Sequence, residues 1–275
     1  MTEFSSPAPP SIGHPFFRSP LTLCAHRGNS VEFPENTIPA FLSAAELGVD
    51  CIETDVHLTR DGHCVVSHDP TVDRATGSRG PISDYSLDEI KQLDAGYGFT
   101  ADGGQSFPFR GRGIAIPALA EVLRVLPGMR LNIDLKNPSR EITDAFIETV
   151  RKAGAVERVL GASFFTRPLR MLRKRLPELA TSFSKGEAAA LLLRRYSGTL
   201  RLPPKPAGLT LQVPEYYGKL RVVTPGLIHA LHRRSIAVQV WTVNEERDME
   251  RLLGMGVDGI MTDDPAKLRS VLERR

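Results

Sequence analysis

The feature that most restricts the fold of this chain is a regular alternation between short β-branched runs and amphipathic stretches with helical spacing. The alternation extends from residue 21 to residue 273, and eight of the runs precede a helix-like stretch. Parallel strands joined by crossover helices form one sheet, and eight such units favour its closure into a barrel. We therefore predict an α/β fold, a (β/α)8 TIM barrel.

The predicted elements follow from apolar spacing and from the Gly and Pro residues at their ends. Strands are predicted at residues 22–28, 51–59, 130–136, 158–164, 180–184, 209–213, 236–243 and 259–262. Helices are predicted at residues 35–48, 117–126, 141–153, 167–176, 186–196, 224–234, 245–255 and 265–273. A doubly wound open sheet is the alternative, and it is disfavoured because no G-x-G-x-x-G follows the first strand.

Two segments depart from the alternation. After the second strand and a short run at residues 64–68, residues 70–113 are rich in Gly, Ser, Asp and Arg, with one helix-like piece at 87–93. We interpret residues 70–113 as an inserted cap segment. Residues 1–20 are Pro-rich and have no periodic apolar face, so they are predicted to form a flexible lead-in to a single domain at 21–275.

Composition excludes several classes of protein. The formal net charge of +3 is too small to indicate a nucleic-acid partner. The three cysteines lack C-x-x-C spacing, so neither a disulfide framework nor a thiolate zinc site is predicted. No apolar run reaches the roughly 18 residues of a transmembrane helix, and no signal peptide is recognisable. We expect a cytoplasmic protein, and the sequence leaves its oligomeric state open.

Charge is distributed unevenly along the chain. Residues 167–221 contain 12 Lys+Arg and 3 Asp+Glu, whereas residues 26–102 contain 5 and 14. A basic helical face beside an acidic site is compatible with peripheral contact at an anionic lipid surface. The alternative interpretation is an ordinary solvated helix face.

Three carboxylates stand near the carboxyl ends of predicted strands, where barrels of this kind carry their chemistry. Glu53 and Asp55 lie two residues apart on one strand, so their side chains share a face. With Asp134 they form a set of hard oxygen donors that suits Mg²⁺ or Ca²⁺ better than Zn²⁺ or copper. The alternative is that the carboxylates form ion pairs with Arg27 and Lys136.

Two histidines and two cations accompany these carboxylates. His26 and His68 fall at strand ends, and two imidazoles beside one site supply a general base and a general acid near neutral pH. Arg27 and Lys136 combine a planar fork with a point charge, a pair typical of phosphate binding. Each histidine alone is as well explained by a structural or surface role, but together the four residues indicate phosphoryl chemistry.

The same residues lie in motifs that resemble those of the glycerophosphodiester phosphodiesterase family. The similarity extends over about residues 21–270 in several ordered blocks. These include His26-Arg27-Gly28, Pro34-Glu35-Asn36-Thr37, Glu53-Thr54-Asp55, Val66-Ser67-His68-Asp69, Asn132-Ile133-Asp134-Leu135-Lys136, Trp241-Thr242-Val243-Asn244 and Thr262-Asp263-Asp264-Pro265.

The resemblance implies a barrel hydrolase that uses a divalent cation, Mg²⁺ or Ca²⁺ with Mn²⁺ as a further candidate, to release sn-glycerol 3-phosphate and an alcohol. It implies roles for eight residues: metal binding by Glu53, Asp55 and Asp134, acid–base catalysis by His26 and His68, phosphate binding by Arg27 and Lys136, and an apolar wall formed by Trp241. One position departs from the family pattern, because Asp134 stands where E-x-K has Glu. The shorter side chain predicts water-mediated coordination, a different cation or a more weakly held one.

The mechanism implied by this similarity has two steps. One histidine deprotonates the adjacent glycerol hydroxyl, which attacks phosphorus to form a cyclic phosphate while the other histidine protonates the leaving alcohol. Water then opens the ring with the roles reversed. Direct attack by water is the alternative route with the same residues.

Two other functions remain as alternatives. The first is a lysophospholipase D or sphingomyelinase-D-like activity on single-chain lipids, with an apolar groove at residues 97–116 formed by Tyr97, Phe99, Phe107 and Phe109. The second is a non-catalytic, phosphoester-binding barrel. It is disfavoured because every residue of the implied site is present.

Overall fold

Eight parallel strands form the central sheet of the computed structural model, which describes residues 12–20, 22–196 and 208–275. In chain order the strands are β1 Leu23–His26, β2 Cys51–Leu58, β3 Cys64–Val66, β4 Leu131–Leu135, β5 Val159–Ala162, β6 Ala180–Thr181, β7 Thr210–Val213, β8 Tyr216–Tyr217, β9 Leu220–Arg221, β10 Ala237–Val240 and β11 Gly259–Thr262. The parallel order is β6-β5-β4-β2-β1-β11-β10-β7, and a parallel bridge between Ser182 and Thr210 joins the two ends. The barrel is therefore nearly closed, and the predicted TIM barrel is confirmed.

Helices follow the barrel strands and cover the outside of the sheet. They are α1 Ile38–Glu46, α2 Asp73–Thr76, α3 Leu87–Ile90, α4 Leu119–Val125, α5 Arg140–Lys152, α6 Thr166–Arg175, α7 Lys185–Tyr196, α8 Pro225–His232, α9 Glu246–Gly254 and α10 Pro265–Glu273. Local sequence determines where they begin. Ser139, for example, accepts a hydrogen bond from the backbone N–H of Ile142 and caps α5.

The predicted element boundaries agree with the observed ones to within three residues. The sequence analysis missed α2 and the small antiparallel hairpin formed by β8 and β9. Both are too short to show a period. A four-residue helix makes only one turn, and two-residue strands cannot establish an alternation of faces.

Two layers of core hold the barrel together. The larger lies between sheet and helices, where Ile52, Leu131 and Val238 contact apolar helix residues such as Phe146. The smaller fills the interior of the barrel with Cys24, Cys51, Leu160, Ala162, Ala180 and Met261. Phe16, only 1% exposed, precedes the first strand and packs into this inner cluster. The barrel is thus a packed core with an open face only at the carboxyl ends of its strands.

The predicted lead-in at residues 1–20 is described only from residue 12. Residues Pro15–Phe17 form a turn of 3-10 helix that positions Phe16. Arg130 anchors this segment, because its guanidinium donates hydrogen bonds to the carbonyl oxygens of Phe16, Ser19 and Pro20 at 2.9 to 3.2 Å. Residues 12–20 therefore pack as part of the barrel, and residues 1–11 lie outside the described residues.

The inserted segment after the second strand has a small core of its own. β3 pairs antiparallel with β2, and the chain that follows carries α2 and α3. Val65, Val72, Ile82, Ile90, Ala95 and Ile116 pack together beneath it. In the described part of the chain, no helix is both long and apolar enough to cross a membrane.

Candidate active site

The carboxyl ends of β1, β2 and β4 bring the predicted site residues to one level of the barrel. His26 is in register with Glu53 across β1 and β2, and Asp55 is in register with Asp134 across β2 and β4. The three carboxylate residues are buried, at 7%, 1% and 6% exposure in chain order. Strand register alone therefore places three acids and a histidine at the mouth.

Asp55 is the most heavily bonded of these carboxylates. Its Oδ1 lies 2.7 Å from Lys136 Nζ, and its Oδ2 lies 3.6 Å from Arg27 Nε. Asn36 also donates a hydrogen bond to Oδ2 at 3.1 Å. Burial acts to raise the pKa of Asp55, but the charges of Lys136 and Arg27 outweigh it and the pKa is lowered. Asp55 is therefore ionised and held by two cations.

Lys136 connects two of the acids. Its Nζ lies 2.7 Å from Asp134 Oδ2 as well as 2.7 Å from Asp55 Oδ1. Burial acts to lower the pKa of Lys136, but the two carboxylates raise it above its ordinary value. The ion pairs that the sequence analysis held as an alternative to metal binding are thus present for Asp55, Asp134 and both cations.

Glu53 differs from Asp55 because its Oε2 has no hydrogen-bond partner although it is buried. Burial, with a further contribution from the charge of Asp55, raises the pKa of Glu53 to about 8. Asp134 Oδ1 also has no partner, and burial raises the pKa of Asp134 despite the opposing charge of Lys136. Two buried oxygens at the same site therefore accept no hydrogen bond from the described residues.

These two oxygens without hydrogen-bond partners indicate whether the site residues fit a divalent cation. Buried carboxylate oxygens need a hydrogen bond or a cation, and oxygen donors are the ligands of Mg²⁺ and Ca²⁺. The donor set fits such an ion. The described residues contain no compact group of three His, Cys, Asp or Glu side chains already arranged around one point. Lys136 lies between Asp55 and Asp134 and neutralises part of their negative charge, as a bound cation would.

His26 is oriented by a carboxylate from the last strand of the barrel. Its Nδ1 lies 2.6 Å from Asp263 Oδ1, and its Nε2 lies 3.9 Å from Glu53 Oε2. Asn244 donates to the other oxygen of Asp263 at 2.7 Å. Burial acts to lower the pKa of His26, but the bond to Asp263 and the charge of Glu53 raise it overall. The Asp263 contact leaves Nε2 directed away from that bond and toward Glu53.

His68 has an equivalent arrangement on the inserted side. Its Nδ1 lies 2.9 Å from Asp69 Oδ1, and Asp69 Oδ2 accepts a hydrogen bond from Arg74 Nε at 2.6 Å. Arg74 also forms a bidentate pair with Glu35 at 2.7 and 3.0 Å. Glu35 in turn accepts a hydrogen bond from Arg27 at 3.0 Å. One chain of charges therefore connects His68 to Arg27.

The predicted apolar wall, Trp241, lies beside the same site. Its ring meets Phe164 edge-on with centroids 5.9 Å apart, and Lys136 Nζ lies 5.7 Å from the centre of the Phe164 ring. The other predicted apolar surface is different. Tyr97 and Phe107 both contact the guanidinium of Arg110, and Phe99 packs edge-on against Phe109. The aromatic residues of 97–116 thus pack on one another, on Arg110 and, through Phe109, on Phe33.

The sequence analysis assigned no role to five residues that hold the site. They are Asn36, His57, Asp69, Arg74 and Asp263. His57 is 8% exposed, its Nε2 lies 3.1 Å from the carbonyl oxygen of His68, and burial lowers its pKa. Asp69 and Asp263 each carried a signal, because one follows a predicted histidine directly and the other ends the eighth barrel strand.

Comparison with known proteins identifies the family of this chain. The chain matches the model of the glycerophosphoryl diester phosphodiesterase family over residues 26–267. It is 37% identical to a glycerophosphodiester phosphodiesterase of Caldanaerobacter subterraneus subsp. tengcongensis, covering 92% of this chain and 98% of that protein. It is 28% identical to the lysophospholipase D GDPD1 of Homo sapiens, covering 90% and 85% respectively.

A solved structure gives the same result for the fold. The phosphodiesterase of Oleispira antarctica, in complex with its product sn-glycerol-3-phosphate, superposes with a TM-score of 0.76 at 26% identity. The superposition covers 92% of this chain and 97% of that protein. The family match spans every predicted site residue, from His26 to Trp241, together with the carboxylates that orient both histidines. The chain therefore belongs to the glycerophosphoryl diester phosphodiesterase family, and it is a phosphodiesterase.

Proposed function

We propose that this phosphodiesterase hydrolyses glycerophosphodiesters to sn-glycerol 3-phosphate and an alcohol, with His26 and His68 as its acid–base pair and a divalent cation as its cofactor. The observation that carries the proposal is the matched orientation of the two imidazoles. Each is bonded through Nδ1 to a carboxylate, Asp263 or Asp69. A carboxylate at Nδ1 fixes the tautomer that leaves Nε2 free to exchange a proton with substrate.

The two histidines supply the proton transfers of both steps. In the first step, one imidazole removes the proton of the glycerol hydroxyl next to the phosphodiester. The hydroxyl oxygen attacks phosphorus, the bond to the alcohol breaks, and the second imidazole gives its proton to the leaving oxygen. In the second step water loses a proton to that imidazole and opens the cyclic phosphate, while the first imidazole returns a proton to the glycerol oxygen.

Arg27 and Lys136 would bind the phosphoryl oxygens. Both are partly buried, with side chains 17% and 18% exposed, so their charges act in a poorly screened environment. Donors aimed at the oxygens where charge develops usually provide the largest share of catalysis. Trp241 and Phe164 would exclude water from the glycerol or alcohol side of the substrate.

A divalent cation would be held by Glu53, Asp55 and Asp134, with Mg²⁺, Ca²⁺ and Mn²⁺ as the candidates. When bound, it would polarise a phosphoryl oxygen and neutralise part of the charge that develops there. Glu53 and Asp134 each offer an oxygen without a hydrogen-bond partner among the described residues. Asp134, which stands where the family has Glu, also bonds Lys136, so we expect it to be the weakest of the three ligands.

The test is release of sn-glycerol 3-phosphate from glycerophosphocholine and glycerophosphoethanolamine, after chelation and then with each cation restored. We expect turnover that depends on the cation and falls by at least about 100-fold in His26→Ala and in His68→Ala. Unchanged turnover in both variants would contradict the acid–base assignment. Full activity on a diester that lacks the adjacent hydroxyl would exclude the cyclic route in favour of direct attack by water.

A second candidate is lysophospholipase D activity on single-chain phospholipids. It is favoured by the exposed side chains of Phe164 and Phe165, 49% and 43% exposed, at the edge of the mouth. The human relative named above carries that activity in its name. Release of lysophosphatidic acid from lysophosphatidylcholine, without turnover of the water-soluble diesters, would establish this candidate in place of the first.

A further inference from the structure

One side of the barrel mouth is bordered by exposed apolar side chains, of which the proposed reaction uses only Phe164. We call this set the aromatic rim, and it consists of Phe164, Phe165, Tyr216, Tyr217 and Leu220. The five side chains are between 43% and 66% exposed. Soluble proteins rarely expose a contiguous apolar patch of large side chains unless it contacts something.

The aromatic rim lies on the same face as the catalytic residues. Phe164 and Phe165 follow the carboxyl end of β5, and the hairpin β8–β9 follows that of β7. Lys185 joins the two parts. Its backbone N–H donates to the carbonyl oxygen of Phe164 at 3.2 Å, and its Nζ lies 5.9 Å from the centre of the Tyr217 ring. Since Phe164 also contacts Trp241, the rim is continuous with the proposed substrate wall.

The charges around the aromatic rim are positive. Lys185 and Lys219 are exposed, and within the described part of the chain neither forms an ion pair with a carboxylate. Two of the neighbouring acids are already bonded. Glu215 pairs with Arg251 at 2.6 Å, and Glu187 pairs with an arginine of α6 at 2.6 Å. A partner that fits this surface must therefore have an apolar part and carry negative charge.

We propose that the aromatic rim docks the mouth of the barrel onto the surface of an anionic phospholipid bilayer. Tyrosine and phenylalanine place an apolar ring at the level of the lipid headgroups, and the tyrosine hydroxyl remains in contact with water. Lysines near an anionic leaflet add electrostatic attraction. The choice of phospholipid rests on the proposed function, whereas the docking itself is measured without any turnover.

The first experiment is sedimentation of the protein with vesicles of phosphatidylcholine, with and without an equal amount of phosphatidylglycerol. We expect binding only to the mixed vesicles. The double variant Tyr217→Ser with Leu220→Ser, and separately Lys219→Glu, should each lower the partition coefficient by about tenfold. All three side chains are exposed, so these variants are expected to fold.

The matched controls lie away from the mouth. Leu42→Ser changes an apolar side chain of α1 that is 41% exposed, and Lys152→Glu reverses an exposed charge at the end of α5. Both controls should bind the mixed vesicles like the unaltered protein. Equal loss in the controls and the rim variants, or no loss in the rim variants, would overturn the proposal.

The second experiment identifies the face that touches the lipid. The chain contains one tryptophan, so its emission comes from Trp241, next to the rim. Vesicles with brominated acyl chains should quench this emission in the unaltered protein. They should quench it far less in the double variant. Binding to vesicles without quenching would mean that another face docks, which would overturn the proposal.

Two further outcomes separate this inference from the proposed function. Hydrolysis of water-soluble glycerophosphocholine should be unchanged in the rim variants, since none of these residues belongs to the catalytic site. If no diester is hydrolysed but vesicle binding depends on the rim, the function fails and the docking stands. If the rim binds monomeric lysophosphatidylcholine but no vesicle, the surface is an acyl-chain subsite and the docking proposal is wrong.

Discussion

The two histidines of the site are held by two regions of the molecule with different physical properties. His26 belongs to the barrel strands, and its side chain is 17% exposed beside a carboxylate from β11. His68 follows β3 at the start of the inserted segment, and its side chain is 36% exposed. The strand side is held by register and burial, whereas the inserted side is held by ion pairs around Arg74, which is 53% exposed.

The difference shows where electrostatic interactions are strong. Charges on the strand side are removed from water, so their pairing is poorly screened and their loss is costly. Ion pairs on the inserted side face solvent and contribute little to folding stability. They can still orient a side chain. We therefore expect changes on the strand side to affect both stability and turnover, and changes on the inserted side to affect mainly turnover.

The largest effect is expected for Lys136→Met. It leaves Asp55 and Asp134 buried without their shared cation, which should lower the free energy of unfolding by about 3 kcal/mol and abolish most turnover. Chemical denaturation in the presence of a chelator measures the first effect. Lys152→Met, in an exposed pair with Glu148, is the control and should change stability by less than about 0.5 kcal/mol. If the Lys136→Met protein is as stable as the unaltered one, the buried carboxylates on the strand side do not need the charge of Lys136 for folding stability.

A matched pair of substitutions compares the two histidine supports directly. Asp263→Asn and Asp69→Asn each remove the charge beside one Nδ1 while preserving the shape of the side chain. We expect turnover to fall by about 100-fold for Asp263→Asn and by about tenfold for Asp69→Asn, because the first carboxylate supports the more buried imidazole. Rates measured at saturating substrate test this order. The reverse order would show that exposure does not determine how strongly a carboxylate supports its histidine.

Arg74→Gln should have a smaller effect on turnover and almost none on stability. The substitution frees Glu35 and Asp69 from the guanidinium that joins them, so we expect turnover to fall by about fivefold. Arg60→Gln is a suitable control, since Arg60 is similarly exposed and pairs with Glu89 on the inserted segment. High salt should lower the turnover of the unaltered protein toward that of Arg74→Gln. Equal turnover in Arg74→Gln and Arg60→Gln would contradict the proposed coupling between Arg74 and His68.

The dependence of stability on pH should have opposite signs on the two sides. Since the pKa of Glu53 is raised from 4.5 to about 8, the folded protein binds its proton more tightly than the unfolded chain. In the presence of a chelator, the stability contributed by Glu53 should therefore be lost as pH rises from about 4.5 to 8. The slope is at most about 1.4 kcal/mol per pH unit, and Glu53→Gln should abolish it.

The inserted side should respond in the other direction. Burial acts to raise the pKa of Glu35 and of Asp69, but the bonds from Arg74 hold both pKa values below their ordinary range. Their contribution to stability is present above those ordinary values and is lost as pH falls through the lowered ones. Amide hydrogen exchange of residues 70–80 should therefore accelerate in acid before that of β2 and β4. Simultaneous acceleration of both regions would show that they open as one unit.

Sequence analysis located the strand side of the site well because local pattern determines it. Glu53 and Asp55 share a face through the two-residue period of a strand, and this inference needs no knowledge of the fold. The contact between His26 and Asp263 could not be predicted in this way. The two residues are 237 positions apart and become neighbours only when β11 pairs with β1.

The inserted side was harder to predict from the sequence, for a different reason. Residues 70–113 show no period, so the sequence indicates an excursion but not how its side chains meet the barrel. Arg74 lies on a helix of four residues and reaches Glu35, which is 39 positions away. Whether the aromatic residues at 97–116 form the predicted apolar groove depends on the loop conformation, which local pattern does not determine.

The floor of the barrel has a consequence for where this fold begins. The family match starts at residue 26, whereas Phe16 fills the inner cluster and Arg130 binds the backbone of residues 16, 19 and 20. A truncated protein that starts at the family boundary would expose the interior of the sheet to water and remove three of the carbonyl acceptors of the buried Arg130 guanidinium. The smallest autonomously folding unit therefore includes a segment that family resemblance alone would discard.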